Sequence, residues 1–128
     1  MVRGTIAGDT PQLIAWLQAL CREADIHIAK TVSLQEGPES ASRALGSVRS
    51  DLLFIELDAT TLDSALGLIA EARLPRTGQT ILGFAKDPFP EQESAYEAGI
   101  SQIIITPVSH HEFPATFPSA LQKHNNKF

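Results

Sequence analysis

The stretch SDLLFIELD, Ser50–Asp58, holds an unbroken apolar run, Leu52–Ile55, that ends in Glu56, Leu57 and Asp58. A strand with one face in water alternates apolar and polar residues. An unbroken run signals a strand covered on both faces, the usual state of a strand inside a parallel sheet. The same segment places two carboxylates, one residue apart, where such a strand emerges. Charge at the end of a buried strand is expensive, so these acids need a role or a partner.

Working outward, the chain alternates between two kinds of segment. Upstream, TIAG (5–8) reads as a weak strand, and Thr10-Pro11 supplies an N-cap residue followed by Pro at the first helical position. In QLIAWLQALCREA (12–24), Leu13, Ile14, Leu17, Leu20, Cys21 and Ala24 form one stripe at helical spacing, with Trp16 at its edge as a core-packing residue. IHIAKTVS (26–33) alternates as a strand. After the Gly37-Pro38 break, Ala41, Ala44, Leu45 and Val48 recur at helical spacing. Downstream, Leu62, Ala65, Leu66 and Ile69 make a third stripe, closed at Leu74-Pro75. TILGFA (80–85) is a strand, PEQESAYEAG (90–99) a short helix capped by Gly99, and SQIIITP (101–107) the fifth strand. Strands alternating with amphipathic helices predict right-handed βαβ units: a doubly wound α/β domain with a five-stranded parallel sheet.

Bulk properties narrow the function. A chain of 128 residues, 43% hydrophobic and 20% charged, suits a single globular domain over residues 1–128. The formal net charge of −5 and the lack of a Lys/Arg cluster argue against nucleic acid as a partner. One cysteine, Cys21, excludes an intrachain disulfide and a cysteine metal cage. No apolar run approaches the ~20 residues of a membrane span, and MVRGTIAGDT has no signal-peptide apolar region. The expectation is a cytoplasmic protein, or one domain of a longer one, with the polar end KHNNKF compatible with either.

In open α/β sheets, sites form beyond the carboxyl ends of the strands. That rule selects Gly8-Asp9, Glu56 with Asp58, Ala85-Lys86 and Thr106-Pro107, and it predicts one shared rim holding Asp9, Glu56 and Asp58. No G-x-G-x-x-G or Walker-type loop occurs, which disfavours a nucleotide- or flavin-binding enzyme. His110-His111 reads as a solvated turn, since adjacent residues at a helix start face different directions. Ser109 beside His110 lacks the nucleophile elbow and positioned acid of a triad.

Three segments, AGDTP (7–11), SDLLFIELD (50–58) and YEAGISQIIITPV (96–108), resemble the receiver domain of two-component response regulators in order and spacing. The resemblance covers essentially the whole chain and is most specific at Ala98-Gly99 and Thr106-Pro107. It implies a flavodoxin-like (CheY-like) strand order 2-1-3-4-5 and a contact face made by helix four, strand five and helix five. It also implies a chemistry: an Asp accepts a phosphoryl group from phosphohistidine, and Mg²⁺ is held by acids of strands one and three. A Lys after strand five pairs with the phosphoryl group, a Ser/Thr after strand four hydrogen-bonds it, and an aromatic on strand five reports it.

This chain departs from that set at most positions. Gly8 replaces the first acid of the pair, and Asp9 keeps the second. Glu56 stands at the phosphoacceptor position, Phe84 at the Ser/Thr, Ile103 at the aromatic and Thr106 at the Lys; Pro107 is retained. Glu56 is longer than Asp by one C–C bond, ~1.5 Å, and about 1 Å of misplacement can cost on the order of 10²-fold in rate. The absent Lys removes a charge-assisted contact of about 1.5–3 kcal/mol. Phe84 donates no hydrogen bond, and its bulk can fill the pocket.

The roles left open for Glu56 are an acceptor, a built-in phosphate mimic, or a strand-end carboxylate bonded to loop amides. Asp58 is the outside candidate for a displaced acceptor. Asp9 either binds Mg²⁺ weakly together with Glu56 or favours the first helix through its dipole. Finally, Phe113, Phe117 and Leu121 recur at helical spacing, but Pro118 costs about 3 kcal/mol inside a regular helix, which predicts an irregular fifth helix.

The expectation is a degenerate receiver, not an enzyme, that binds a protein partner or itself without phosphorylation. It is most similar to the receiver-like domains at the N-terminus of the pilus-assembly localisation ATPases of the Flp/Tad type. The alternative is a working phosphorelay receiver, modified on Asp58 or Glu56 by a histidine kinase.

Overall fold

The computed structural model describes residues 2–46, 50–57, 62–74, 79–86 and 92–105. Five strands, β1 (Val2–Ala7), β2 (Ile26–Val32), β3 (Leu52–Glu56), β4 (Thr80–Ala85) and β5 (Gln102–Ile105), alternate with four helices. The helices are α1 (Pro11–Glu23), α2 (Pro38–Gly46), α3 (Leu62–Glu71) and α4 (Gln92–Ala98). All strand pairs are parallel, in the order β2-β1-β3-β4-β5 expected from the sequence. Among the described residues no helix is long and apolar enough to cross a membrane. The expected irregular fifth helix lies outside the described residues.

Every residue of β3 is buried, as its unbroken apolar run requires. Its side chains divide by parity between two cores. Leu52 and Phe54 join Ile6, Leu82, Phe84 and Ile104 under the Leu17, Leu20 and Cys21 stripe of α1. Leu53 and Ile55 join Ile81 and Ala85 against α2, α3 and α4 through Ala41, Leu45, Leu68, Ile69 and Ala95. Fully burying one such side chain stabilises by about 1.5–3 kcal/mol, so this central strand is the mechanical axis of the domain.

The helix ends follow their local signals. Pro11 is the first residue of α1, and Thr10 is its N-cap in backbone conformation, without a side-chain capping bond. The first strand is longer than TIAG indicated, reaching back to Val2. After α4, Gly99 has φ 120°, and the Ile100 amide donates to the Ala95 carbonyl at 3.2 Å, closing the helix. The same closure after α3 uses Arg73 at φ 54°, with the Leu74 amide donating to Ile69 at 2.9 Å.

One feature of β2 departs from simple alternation. Gly4 pairs with Ile28 but Thr5 pairs with Lys30, so Ala29 is an extra residue. Ile26 and Ile28 therefore belong to the α1 side, whereas Val32, of the same parity, belongs to the opposite core. The bulge, with Lys30 beside it, also blunts an edge strand that would otherwise offer a straight row of backbone groups. Gly4 opposite the bulge is a packing glycine: a Cβ there would lie 2.8 Å from Phe54 Cε2.

Two predictions follow from this arrangement. Because Ala29 is the extra residue, its deletion keeps every pairing with β1 and leaves Ile26 and Ile28 on the α1 side and Val32 on the other. Urea stability should therefore fall by less than the about 2–5 kcal/mol of a large core truncation. Ala29→Ser, at an exposed position, should stay within about 0.5 kcal/mol.

Burial pushes the Cys21 thiol up from 9.0 to about 12, so its thiol should react with disulfide reagents only as fast as the domain opens. Because the folded form holds this proton more tightly, the associated stability is present below pH 9.0 and is lost as pH rises toward about 12. Wild type should accordingly lose stability faster than Cys21→Ala in urea melts above pH 9.0, by up to about 1.4 kcal/mol per pH unit.

Candidate functional site

Register alone brings the predicted rim together. Ala7 pairs with Ile55, Glu56 with Phe84, and Phe84 with Ile104, so Gly8, Glu56, Phe84 and the end of β5 lie along one line across the sheet. Asp9 and Glu56 meet: the Asp9 amide donates to Glu56 Oε2 at 3.4 Å. Asp58, Thr106 and Pro107 lie outside the described residues.

Glu56 is only 6% exposed. A carboxylate so placed needs donors, and the Asp9 amide is one. Its side chain runs beneath Gly8, where a Cβ would lie 3.0 Å from Glu56 Cβ, 3.6 Å from Cδ and 3.8 Å from Oε1. The next residue is fixed as well. The Leu57 amide donates to the Phe84 carbonyl at 2.8 Å, and the Leu57 side chain packs over Gly83, where no Cβ would fit.

The Asp9 carboxylate turns toward the loop after β2 and not toward Glu56. Oδ1 accepts a short bond from Ser33 Oγ, while Oδ2 accepts from the Leu34 amide at 3.0 Å and the Gln35 amide at 3.2 Å. Ser33 Oγ in turn accepts from the Gln35 amide at 3.2 Å. Asp9 is therefore a tie between the exits of β1 and β2. The first turn of α1 carries no acidic residue. Ser33, Leu34 and Gln35 were not among the sequence candidates. Only the polar Ser33 at a strand end hinted at a turn, and nothing in the sequence pairs it with residue 9.

This donor set does not fit a divalent cation well. A carboxylate offers about four lone-pair positions, and three on Asp9 are taken by the Ser33–Gln35 turn. Gly8 contributes no ligand. Among the described residues no group of three or more His, Cys, Asp or Glu side chains could hold a metal ion.

Phe84 is 1% exposed and stands in the α1-side core, edge-on to Trp16 at 6.2 Å and tilted against Phe54 at 6.0 Å between ring centroids. Trp16 is thus the packing residue its position suggested. Ile103, half-buried, packs against the opposite core beside Gly83. A β-branched side chain has one stiff torsion and no ring to swing.

A two-component response regulator from Clostridium difficile superposes with a TM-score of 0.77 at 19% identity, over 98% of this chain and 99% of that one. A CheY-like receiver domain protein from Methanospirillum hungatei gives 0.76 at 12% identity, over 100% and 99%. The fold is that of a response-regulator receiver domain. The response regulator TrrA from Thermotoga maritima, solved in complex with Mg²⁺-BeF, also shares the receiver fold, with a TM-score of 0.71 at 17% identity over 94% and 99% of the two chains. No family model matches this chain, and no curated protein matches it in sequence.

Within this receiver fold, Phe84 makes a sharp test of what the rim is for. Phe84→Thr introduces a hydroxyl near the end of β4 but empties a packed aromatic site. It should destabilise the domain by about 3–5 kcal/mol, as aromatic truncations in cores do, measured by chemical denaturation.

Proposed function

We propose that this chain is a receiver-like signalling domain that works without phosphorylation, through contact with a protein partner or a second copy of itself. The observation that carries this reading is the Asp9 carboxylate, held by Ser33, Leu34 and Gln35. Phosphoryl transfer relies almost entirely on positioning and charge stabilisation by metal ions and cationic or hydrogen-bonding groups. In this rim the surviving acid serves a loop, and Phe84 serves the core. No reaction is assigned to the rim, and on this reading the domain is not an enzyme.

The contact surface we assign is the face of α4 and β5. Tyr96 on α4 is 46% exposed and Ile105 at the end of β5 is 37% exposed, the two exposed large hydrophobic residues among those described. Exposed apolar surface of this kind is what a protein contact would cover. The similarity to the N-terminal domains of Flp/Tad pilus-assembly ATPases gives this contact a purpose: localisation or dimerisation, with chemistry housed in another domain.

Incubation with acetyl phosphate and Mg²⁺, followed by intact mass measurement, should leave the mass unchanged. An adduct of one phosphoryl group, lost in Asp58→Asn or Glu56→Gln, would instead assign the domain to a phosphorelay. Tyr96→Glu should leave stability within about 0.5 kcal/mol. If self-association is the function, the same change should shift sedimentation toward monomer.

A further inference from the structure

We propose that Gly8 and Glu56 are a size-matched pair that closes the rim to divalent metal ions and leaves Asp9 to the loop after β2. The inference rests on the phosphorylation-independent reading and specifies which residues enforce it.

Three observations converge. Gly8 is buried, and its φ is not in the left-handed region, so backbone freedom does not explain the glycine. Space does: Glu56 crosses the volume a side chain at position 8 would need, its Cβ 3.0 Å from where the new Cβ would stand. Contacts of that length force the neighbour to move, and Glu56 is held from the other side by the Asp9 amide. An acid at position 8 would also bring a second negative charge beside the Glu56 carboxylate, where little water reaches to screen it.

The third observation is the orientation of Asp9. Glu56 approaches Asp9 through its backbone amide at 3.4 Å, while the Asp9 carboxylate points to Leu34 and Gln35. The two acids of the rim are thus joined backbone to carboxylate. A cation needs carboxylate facing carboxylate, and reaching that state means pulling Asp9 off the turn and finding a third ligand. The 3.0 Å contact with Glu56 Cβ would exist for Asp as well, so the length of Glu56 acts through its carboxylate. Its Cδ and Oε1 stand 3.6 Å and 3.8 Å from the new Cβ, where the carboxylate of an Asp at position 8 would need to go.

A double-mutant cycle tests this, using Gly8→Asp, Glu56→Asp and the double variant. Gly8→Asp alone should lower the folding equilibrium constant by about tenfold or more, within the range of ordinary overpacking. Adding Glu56→Asp, which withdraws Cδ and the carboxylate but keeps the Cβ and the charge, should recover part of that loss. In Mn²⁺ titrations followed by amide NMR, wild type and both single variants should show no selective broadening at Asp9, Leu34 and Gln35. The double variant should show it.

Additive effects on stability, or selective broadening in wild type, would overturn the proposal. Should Gly8→Asp fail to fold, Gly8→Asn, which has the same shape without the charge, takes its place in the cycle, and additivity there overturns the proposal equally. Failure of the parent reading is distinguishable. A phosphoryl adduct with the coupling intact refutes phosphorylation independence alone, whereas additivity without an adduct refutes only the pair.

Discussion

A parallel strand buried on both faces offers no water to the polar group that ends it. The rest of this structure depends on that constraint at β3. Leu52–Ile55 commit the strand to the interior, and Glu56 at its end remains 6% exposed. The carboxylate must be received by protein, and the nearest backbone is the turn leaving β1. The Asp9 amide therefore faces Glu56, the Asp9 carboxylate is turned outward, and the exit of β2 supplies its donors. Three strand ends are coupled through one residue. A net of this kind fixes loop geometry without any ligand, because each donor already has an acceptor.

Much of the fold was legible locally. The continuous run in β3, Thr10-Pro11 opening α1 and Gly99 closing α4 each carry a physical reason visible in a few residues. The rim was legible too, since strand order and polarity alone bring positions 9 and 56 together. What escaped the sequence was information held between distant segments. Period-two reading of IHIAKTV puts Ile26, Ile28 and Val32 on one face, and only pairing with β1 reveals that Ala29 switches it. The Asp9–Ser33 bond joins residues 24 apart, and neither side announces the other. Arg73 in a left-handed conformation was hidden because that position usually selects glycine or asparagine.

Phe84, near the end of β4, is a structural residue whose ring lies in the α1-side core against Trp16 and Phe54. The ring adds apolar area to a core roofed by α1 and gives Trp16 a partner with favourable edge-to-face geometry. Gly83, one residue earlier, lets Leu57 fill the other face of the same strand. The strand-end region is thus packed on both sides where a working site needs room and water.

These changes share a thermodynamic direction. A phosphoryl-transfer rim clusters carboxylates that repel one another until a metal arrives, and such strain is held at the expense of stability. Here position 8 is a glycine, Glu56 has the Asp9 amide as a donor, and the Asp9 carboxylate is bonded to the neutral turn of Ser33, Leu34 and Gln35. The repulsion that would keep a site open and ligand-hungry is removed, and its place is taken by hydrogen bonds and apolar contacts. On the proposed reading, signalling through such a domain arises from which surface is presented and how much partner is available.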